Sequence, residues 1–410
     1  MKQLLRLLIL LLVRLLGFPG ILSAQRWVRR ERAKTFISPR ILLIRPDHLG
    51  DLVMTTPILQ ALRNALPEAQ ITMLVGPWSS EIVARHPAID RLITCPFPGF
   101  RRAAQGAMAP YILLFSTAQQ LRRGHYDLAI NLRPDFWWGA ALLYLARIPR
   151  RIGYAIAPGT PFLSTALPFT TPEHTTVSCL KLVSAGLQAL GHVPLPVPYI
   201  PEQYPEQFKP TSEEQQAIKS RLQQAGITAE APFVVIHPGS GAAVKLWRPE
   251  AWATSAVKLT SANPSMRVIL TGSRQERALL ESIVQHMPTD STAPLLLTNL
   301  TVGQLAALLG QAQLVLGVDS GPLHLAVAQD TPTVHIFGPT DARIFGPWGN
   351  PQRHIVIASS QCCSDCTSIP CGRLDFAADE LDVHPCVRLV SEKRVEVAWK
   401  ILLSENIPMR

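Results

Sequence analysis

From Ile41 onward the apolar positions fall into short continuous runs separated by stretches with helical spacing. Ile41-Leu42-Leu43-Ile44 comes first, then Ile58, Leu59, Leu62, Ala65 and Leu66 at i, i+1, i+4, i+7 and i+8, then the run from Ile71 to Val75. Unbroken aliphatic runs predict strands buried on both faces, and the spaced set predicts a helix with one apolar stripe. Thr56-Pro57 reads as the N-cap and first-turn proline of that helix. Further strands are predicted over Arg91–Thr94, Leu128–Leu132 and Arg151–Tyr154. Prolines then accumulate in polar surroundings between Pro194 and Pro210, and a polar helix is predicted from Thr211 to Gln224. The alternation restarts with Phe233–Ile236, Arg267–Leu270, Leu295–Leu297, Leu314–Val318 and Thr333–Phe337. Strand alternating with helix implies α/β domains built on parallel sheets. A chain of 410 residues is also too long for a single core. The expected division is a segment over 1–37, a Rossmann-like domain over 38–205, a linker with the polar helix over 206–230, a second Rossmann-like domain over 231–358, and a tail over 359–410. The last helical pattern, Val390 to Leu403, is expected to pack back on the first domain.

The first 37 residues follow a different rule. Leu4 to Leu16 is almost wholly aliphatic, but Arg6 and Arg14 interrupt it, and no run reaches the length of a spanning helix. On a helical projection Lys2, Gln3, Arg6 and Arg14 share one sector opposite a broad leucine face. Trp27 and the cations Arg26, Arg29, Arg30 and Arg32 follow, a composition suited to an anionic membrane surface. An interfacial helix, a signal-anchor and a cleavable signal peptide all remain open. Composition adds that Lys and Arg total 39 against 29 Asp and Glu, which favours partners carrying phosphate or a negative surface. Nucleic acid is not indicated, because zinc-finger spacings, basic heptads and aromatic-interleaved basic runs are all missing from the sequence.

In open parallel sheets ligands bind beyond the carboxyl ends of the strands, so the loops after each apolar run are the ones to read. The first, Arg45-Pro46-Asp47-His48-Leu49-Gly50-Asp51, places a glycine and a carboxylate where a hydroxyl could be deprotonated; capping of the next helix is the plainer alternative for Asp51. The second, His237-Pro238-Gly239-Ser240-Gly241 with Lys245 and Trp247 beyond it, offers backbone N–H groups and a cation of the kind a diphosphate needs. The third, Thr271-Gly272-Ser273-Arg274-Gln275-Glu276, opens a helix with an acid. Asp319-Ser320-Gly321-Pro322-Leu323-His324 is the fourth and most specific, and Gly338-Pro339-Thr340-Asp341 follows the last predicted strand.

Taken together and in this order, these motifs resemble glycosyltransferase family 9, whose best-known members are the ADP-heptose:lipopolysaccharide heptosyltransferases. The marks are Leu49-Gly50-Asp51 with Thr55-Thr56-Pro57, the His237–Gly241 turn with Lys245 and Trp247, and Asp319–His324 leading to Phe337-Gly338-Pro339-Thr340-Asp341; they span Ile41 to Ile357. The resemblance implies the GT-B fold, two Rossmann-like domains with parallel sheets facing across a cleft, and inverting transfer without a metal ion. It implies Asp51 as the general base. It further implies a donor site of Ser240, Gly241, Lys245, Glu276, Asp319, Ser320, Gly321 and His324, with Lys245 on the diphosphate. Gly50, Arg45 and Arg133 are the acceptor-side candidates, together with Arg150 and Arg151 as phosphate or sugar contacts. The sequence contains no Asp-x-Asp, which suits a mechanism needing no cofactor.

The expected partners are a nucleoside-diphosphate sugar, a lipid-linked or glycan acceptor and, through the N-terminus, the inner face of the cytoplasmic membrane. Cys362, Cys366, Cys371 and Cys386 form a candidate structural zinc set, with a disulfide arrangement or an incidental thiol-rich loop as alternatives. A nucleotide-sugar epimerase and a non-catalytic membrane-associated scaffold are the rival functions.

Overall fold

The computed structural model describes residues 11–15, 17–22, 38–100, 106, 108–228, 231–376 and 380–404. The chain divides into two compact units, Met1–Tyr199 and Ile200–Arg410. The basic cluster from Arg26 to Arg32, with Trp27, and the start of the leucine-rich segment with Arg6 lie outside the described residues.

In the first unit six parallel strands form one sheet: β1 (Arg40–Arg45), β2 (Gln70–Val75), β3 (Arg91–Thr94), β4 (Leu128–Asn131), β5 (Arg150–Tyr154) and β6 (Thr165–Leu167), in the order β3-β2-β1-β4-β5-β6. β1 is central, and Ile41 to Ile44 are fully buried, as a strand covered on both faces requires. The helix Thr56–Ala65 buries Ile58, Leu59 and Leu62, the predicted stripe. Its N-cap is Thr55, not Thr56: the Thr56 hydroxyl instead donates back to the Val53 carbonyl at 2.7 Å. β6 was not anticipated, because its three residues, Thr165-Ala166-Leu167, are largely exposed and carry little apolar signal.

Trp137–Leu145 is apolar all round and almost entirely buried. Helical residues 11–15 and 17–22 contribute Val13 and Ile21 to the same hydrophobic cluster. Gly17 and Gly20 allow this contact, since a Cβ there would meet the Tyr144 ring at 2.3 Å and the Arg147 side chain at 2.4 Å. Tyr144 Oη donates to the Arg14 carbonyl at 2.9 Å. The docked face is therefore Val13, Gly17, Gly20 and Ile21, while Leu11, Leu12, Leu15, Phe18 and Leu22 are exposed. Among the described residues no helix is long and apolar enough to cross a membrane.

The second unit repeats the architecture with β7 (Phe233–His237), β8 (Arg267–Gly272), β9 (Leu295–Thr298), β10 (Leu314–Val318), β11 (Thr333–Phe337) and β12 (His354–Ala358), in the order β12-β11-β10-β7-β8-β9. The polar helix Ser212–Gln224 is capped by a reciprocal Thr211–Glu214 pair and buries Ile218 and Leu222 against the helix Val302–Leu309. The C-terminal helix Glu392–Ser404 buries Val395, Ala398, Trp399 and Leu402 within its own unit, on the helix Pro249–Ala262 and strands β10 to β12. The expectation that this helix packs on the first domain is thus corrected. Its stripe reaches a near surface that is already apolar, and Lys258–Glu396 at 2.7 Å and Arg248–Glu392 at 3.2 Å flank it.

Candidate active site

Each sheet has one place where the strand order reverses. In the first unit it lies between β1 and β4, and in the second between β7 and β10. Helices leave in opposite directions there, opening a crevice beyond the strands' carboxyl ends.

At the first switch point the loop after β1 carries Asp47 and Asp51, and the loop after β4 carries Arg133. Arg45 and Asp47 are both buried, with Arg45 Nε 2.8 Å from Asp47 Oδ2 as an ion pair that lacks hydrogen-bond alignment. Arg133 binds the other Asp47 oxygen and reaches Asp135 at 2.7 Å. Arg45 also donates to the Leu132 carbonyl at 2.9 Å and to Asp51 Oδ1 at 3.3 Å. Burial works against the charge on Arg45, but Asp47, Cys179 and Asp51 outweigh it and hold its pKa above the ordinary value. On Arg133 too, burial is outweighed by Asp47 and Asp135, and the pKa rises. Asp51 stands in the first turn of the short helix Leu49–Val53 with its side chain 26 % exposed.

Arg45, an acceptor-side candidate by sequence, is buried and pairs with both aspartates of this loop. Arg151 is likewise buried, donating to the carbonyls of Ile148 at 2.5 Å, Pro149 at 3.0 Å and Phe162 at 2.7 Å. Arg133 keeps a third of its side chain exposed, and Gly50 lies within the helix. The sequence reading assigned no role to Asp47 or to the clasp from the loop after β2. There Trp78 Nε1 donates to the Asp47 carbonyl at 3.0 Å and Ser79 Oγ to the same oxygen at 2.8 Å. His48, Trp78 and Phe100 form a ring cluster, with Arg133 over Phe100 at 5.1 Å. The available signal was Gly76-Pro77-Trp78-Ser79 directly after a strand.

At the second switch point Lys245 Nζ binds Asp319 Oδ2 at 2.7 Å, and Thr340 Oγ1 donates to the same oxygen at 2.5 Å. Ser240 Oγ donates to the Asp319 carbonyl at 3.4 Å. The Ser320 hydroxyl caps no backbone N–H and is buried without a hydrogen-bond partner among the described residues. A Cβ on Gly239 would sit 2.0 Å from Glu276 Oε1, so the glycine lets that carboxylate lie against the His237–Gly241 turn. Glu276 also closes a capping box, accepting from Ser273 N at 2.7 Å. His237 Nδ1 pairs with Thr271 Oγ1 at 3.0 Å, and burial lowers its pKa against the opposing pull of Glu276. Gly241 and Gly321 complete the predicted donor set, Gly321 opening the helix Gly321–Val327. His324 is different: it is 2 % exposed and its ring meets His335, so it lies beneath the site surface. Thr340 was legible only as part of a loop.

The model of glycosyltransferase family 9 (heptosyltransferase) matches residues 114–373. The chain belongs to this family. It is accordingly a glycosyltransferase, a heptosyltransferase-like member of family 9. Among curated relatives, lipopolysaccharide heptosyltransferase 3 of Escherichia coli is 28 % identical over 305 residues, covering 73 % of this chain and 84 % of that one. The solved family 9 glycosyl transferase of Veillonella parvula superposes with a TM-score of 0.71 at 21 % identity, covering 90 % of this chain and 98 % of that one. E. coli ADP-heptose lipopolysaccharide heptosyltransferase II gives 0.66 at 19 % identity, over 89 % and 99 %. Such structural likeness establishes the GT-B fold of this family 9 chain.

Proposed function

We propose that this enzyme transfers heptose from ADP-heptose to a lipopolysaccharide core, with inversion at the anomeric carbon and without a metal ion. The observation that carries the reading is the pair of switch points, one presenting the partly exposed carboxylate of Asp51 and the other the Lys245–Asp319–Thr340 cluster. ADP-heptose is the donor named for the E. coli enzyme of like fold.

Asp51 Oδ accepts the proton of the acceptor hydroxyl as its oxygen attacks the anomeric carbon. Arg45, fixed by Asp47, sets the orientation of that carboxylate. As the bond to the diphosphate breaks, negative charge grows on the leaving oxygens. The Lys245 ammonium, aimed by Asp319, is placed to meet that charge, with the Ser240 and Ser320 hydroxyls as further donors. The pre-formed Lys245–Asp319 contact removes the reorganisation that a flexible lysine would require. Arg133 and Gly50, with Arg45 behind them, are the acceptor-side candidates, and Glu276 supports the donor turn.

The N-terminal helix serves as a membrane contact on the cytoplasmic side, with Leu11, Leu15 and Phe18 more than half exposed beside Arg14. Replacing Leu15 and Phe18 together by Glu, which leaves the docked Val13 and Ile21 in place, should abolish cosedimentation with anionic vesicles. Unchanged binding would remove the membrane assignment.

The chemistry is tested by Asp51→Asn with ADP-heptose and a core acceptor. The expected result is a kcat lower by about 100- to 10,000-fold with donor binding retained. Wild-type turnover would end the base assignment, and retention of configuration in the product would end the direct-displacement mechanism.

A further inference from the structure

The loop after β12 gathers thiols. The Sγ atoms of Cys363 and Cys366 and a ring nitrogen of His384 all lie within 4.8 Å of one another. Of the set expected from spacing only Cys366 belongs to this group: Cys362 is exposed, Cys371 and Cys386 stand outside it, and buried Cys363 and His384 complete it. A tight turn joins the first two, with Cys366 N donating to the Cys363 carbonyl at 3.1 Å. The Cys386 thiol, two residues beyond His384 and 2 % exposed, touches Cys363, while Cys371 touches Cys366.

Independently, His384 is 4 % exposed and its Nδ1 has no hydrogen-bond partner among the described residues. Phe376 stacks on the ring at 3.4 Å between centroids and holds its plane. A buried imidazole nitrogen with no partner is costly unless an ion or another ligand uses the site.

We propose that Cys363, Cys366, His384 and Cys386 bind a zinc ion that ties this loop to the back of the Gly338–Thr340 turn. Tetrahedral zinc with sulfur at about 2.3 Å places ligand atoms about 3.8 Å apart, so the observed trio needs only small adjustments to close on the ion. Binding releases three thiol protons to solvent and leaves thiolates on the metal, with a neutral imidazole as the fourth ligand. The site has a mechanical connection to the donor cluster. A Cβ on Gly338 would meet Val387 at 2.2 Å and Cys386 Sγ at 3.2 Å, and Gly372 N donates to the Pro339 carbonyl at 2.7 Å. The next residue, Thr340, binds Asp319. Zinc thus braces the turn that holds the Asp319 carboxylate, a structural role independent of whichever sugar is transferred.

The test uses the full-length chain purified under reducing conditions without chelator. Elemental analysis should find about one zinc per chain, and exchange for cobalt should give a thiolate-to-cobalt charge-transfer band with tetrahedral d–d absorption. Stripping the metal should lower Tm by at least about 5 °C. Cys386→Ser and His384→Ala should lose the metal or alter the cobalt spectrum, whereas Cys362→Ser should keep both. A metal-free protein with no cobalt band overturns the proposal, as does a disulfide among these cysteines in the native protein. A cobalt spectrum unchanged in Cys386→Ser overturns the ligand assignment.

Discussion

Replacing Asp47 by Asn removes one negative charge from a group of four buried or half-buried ions while keeping the side chain's shape. Asp47 is 2 % exposed and Arg45 3 %, so Arg45 would retain as its nearest counter-charge only Asp51 at 3.3 Å. Charge centres about 4 Å apart attract by about 4 kcal/mol at an effective dielectric of about 20. Breaking a buried pair from one side costs about 3–5 kcal/mol, because the desolvated partner is stranded. The amide oxygen of Asn can still accept one hydrogen bond, which places the expected loss near about 3 kcal/mol. With a urea slope of about 2–3 kcal/mol/M, the first unit's midpoint should fall by about 1–1.5 M, followed by circular dichroism. Arg133→Gln, on a side chain one-third exposed, should cost about 1 kcal/mol or less. The double variant Arg45→Met with Asp47→Leu should recover most of the loss, since no fully buried charge is left stranded: Arg133 keeps Asp135, and Arg133 and Asp51 both reach solvent. A loss under about 1 kcal/mol for Asp47→Asn would refute this reasoning, as would a double variant no more stable than the single one.

Lys245→Ala should lower kcat/KM by about 100-fold or more while leaving folding intact, measured by donor-saturation kinetics; a small effect would move the leaving-group role elsewhere. Burial first, and Arg353 second, depress the His354 pKa from 6.5 to about 4 against Asp330. The unfolded chain therefore takes up a proton before the folded one does. Stability should be full above about pH 6.5 and fall by about 3 kcal/mol as pH drops toward 4, and His354→Gln should flatten that part of the curve in denaturant titrations. Glu206 is buried, both its oxygens are without hydrogen-bond partners among the described residues, and burial holds its pKa well above the usual carboxylate range. Its folded-state penalty appears as pH rises above the unfolded value near 4.3, so Glu206→Gln should raise Tm at pH 7.5 and do little at pH 4. A lower Tm at pH 7.5 would count against it.

Ten of the twelve strands were legible, the eight central ones because parallel strands covered on both faces must be apolar throughout, and such runs stand out in a sequence. Of the four edge strands β3 and β9 were read, whereas β6, three largely exposed residues, and β12 were not. The loops bearing Asp51, Lys245, Asp319 and Glu276 could also be read, because glycines and prolines after a strand mark where backbone approaches a ligand. What each side chain does in those loops was not local information. Arg45 was read as an acceptor-side candidate and is buried, because the Leu132 carbonyl it binds and the Arg133 that shares Asp47 come from the loop after β4, which only the sheet brings beside it. Cys363 displaced Cys362 for a similar reason. Spacing does not say which of two adjacent cysteines faces inward; packing against Cys386 and His384 decides it. The sequence determined the alternation, the two units and the loops that matter, all of which follow from short-range hydrophobic pattern and turn chemistry. Tertiary structure alone decided which charges are paired, which are buried and which thiols meet, because those depend on distances between segments remote in the chain.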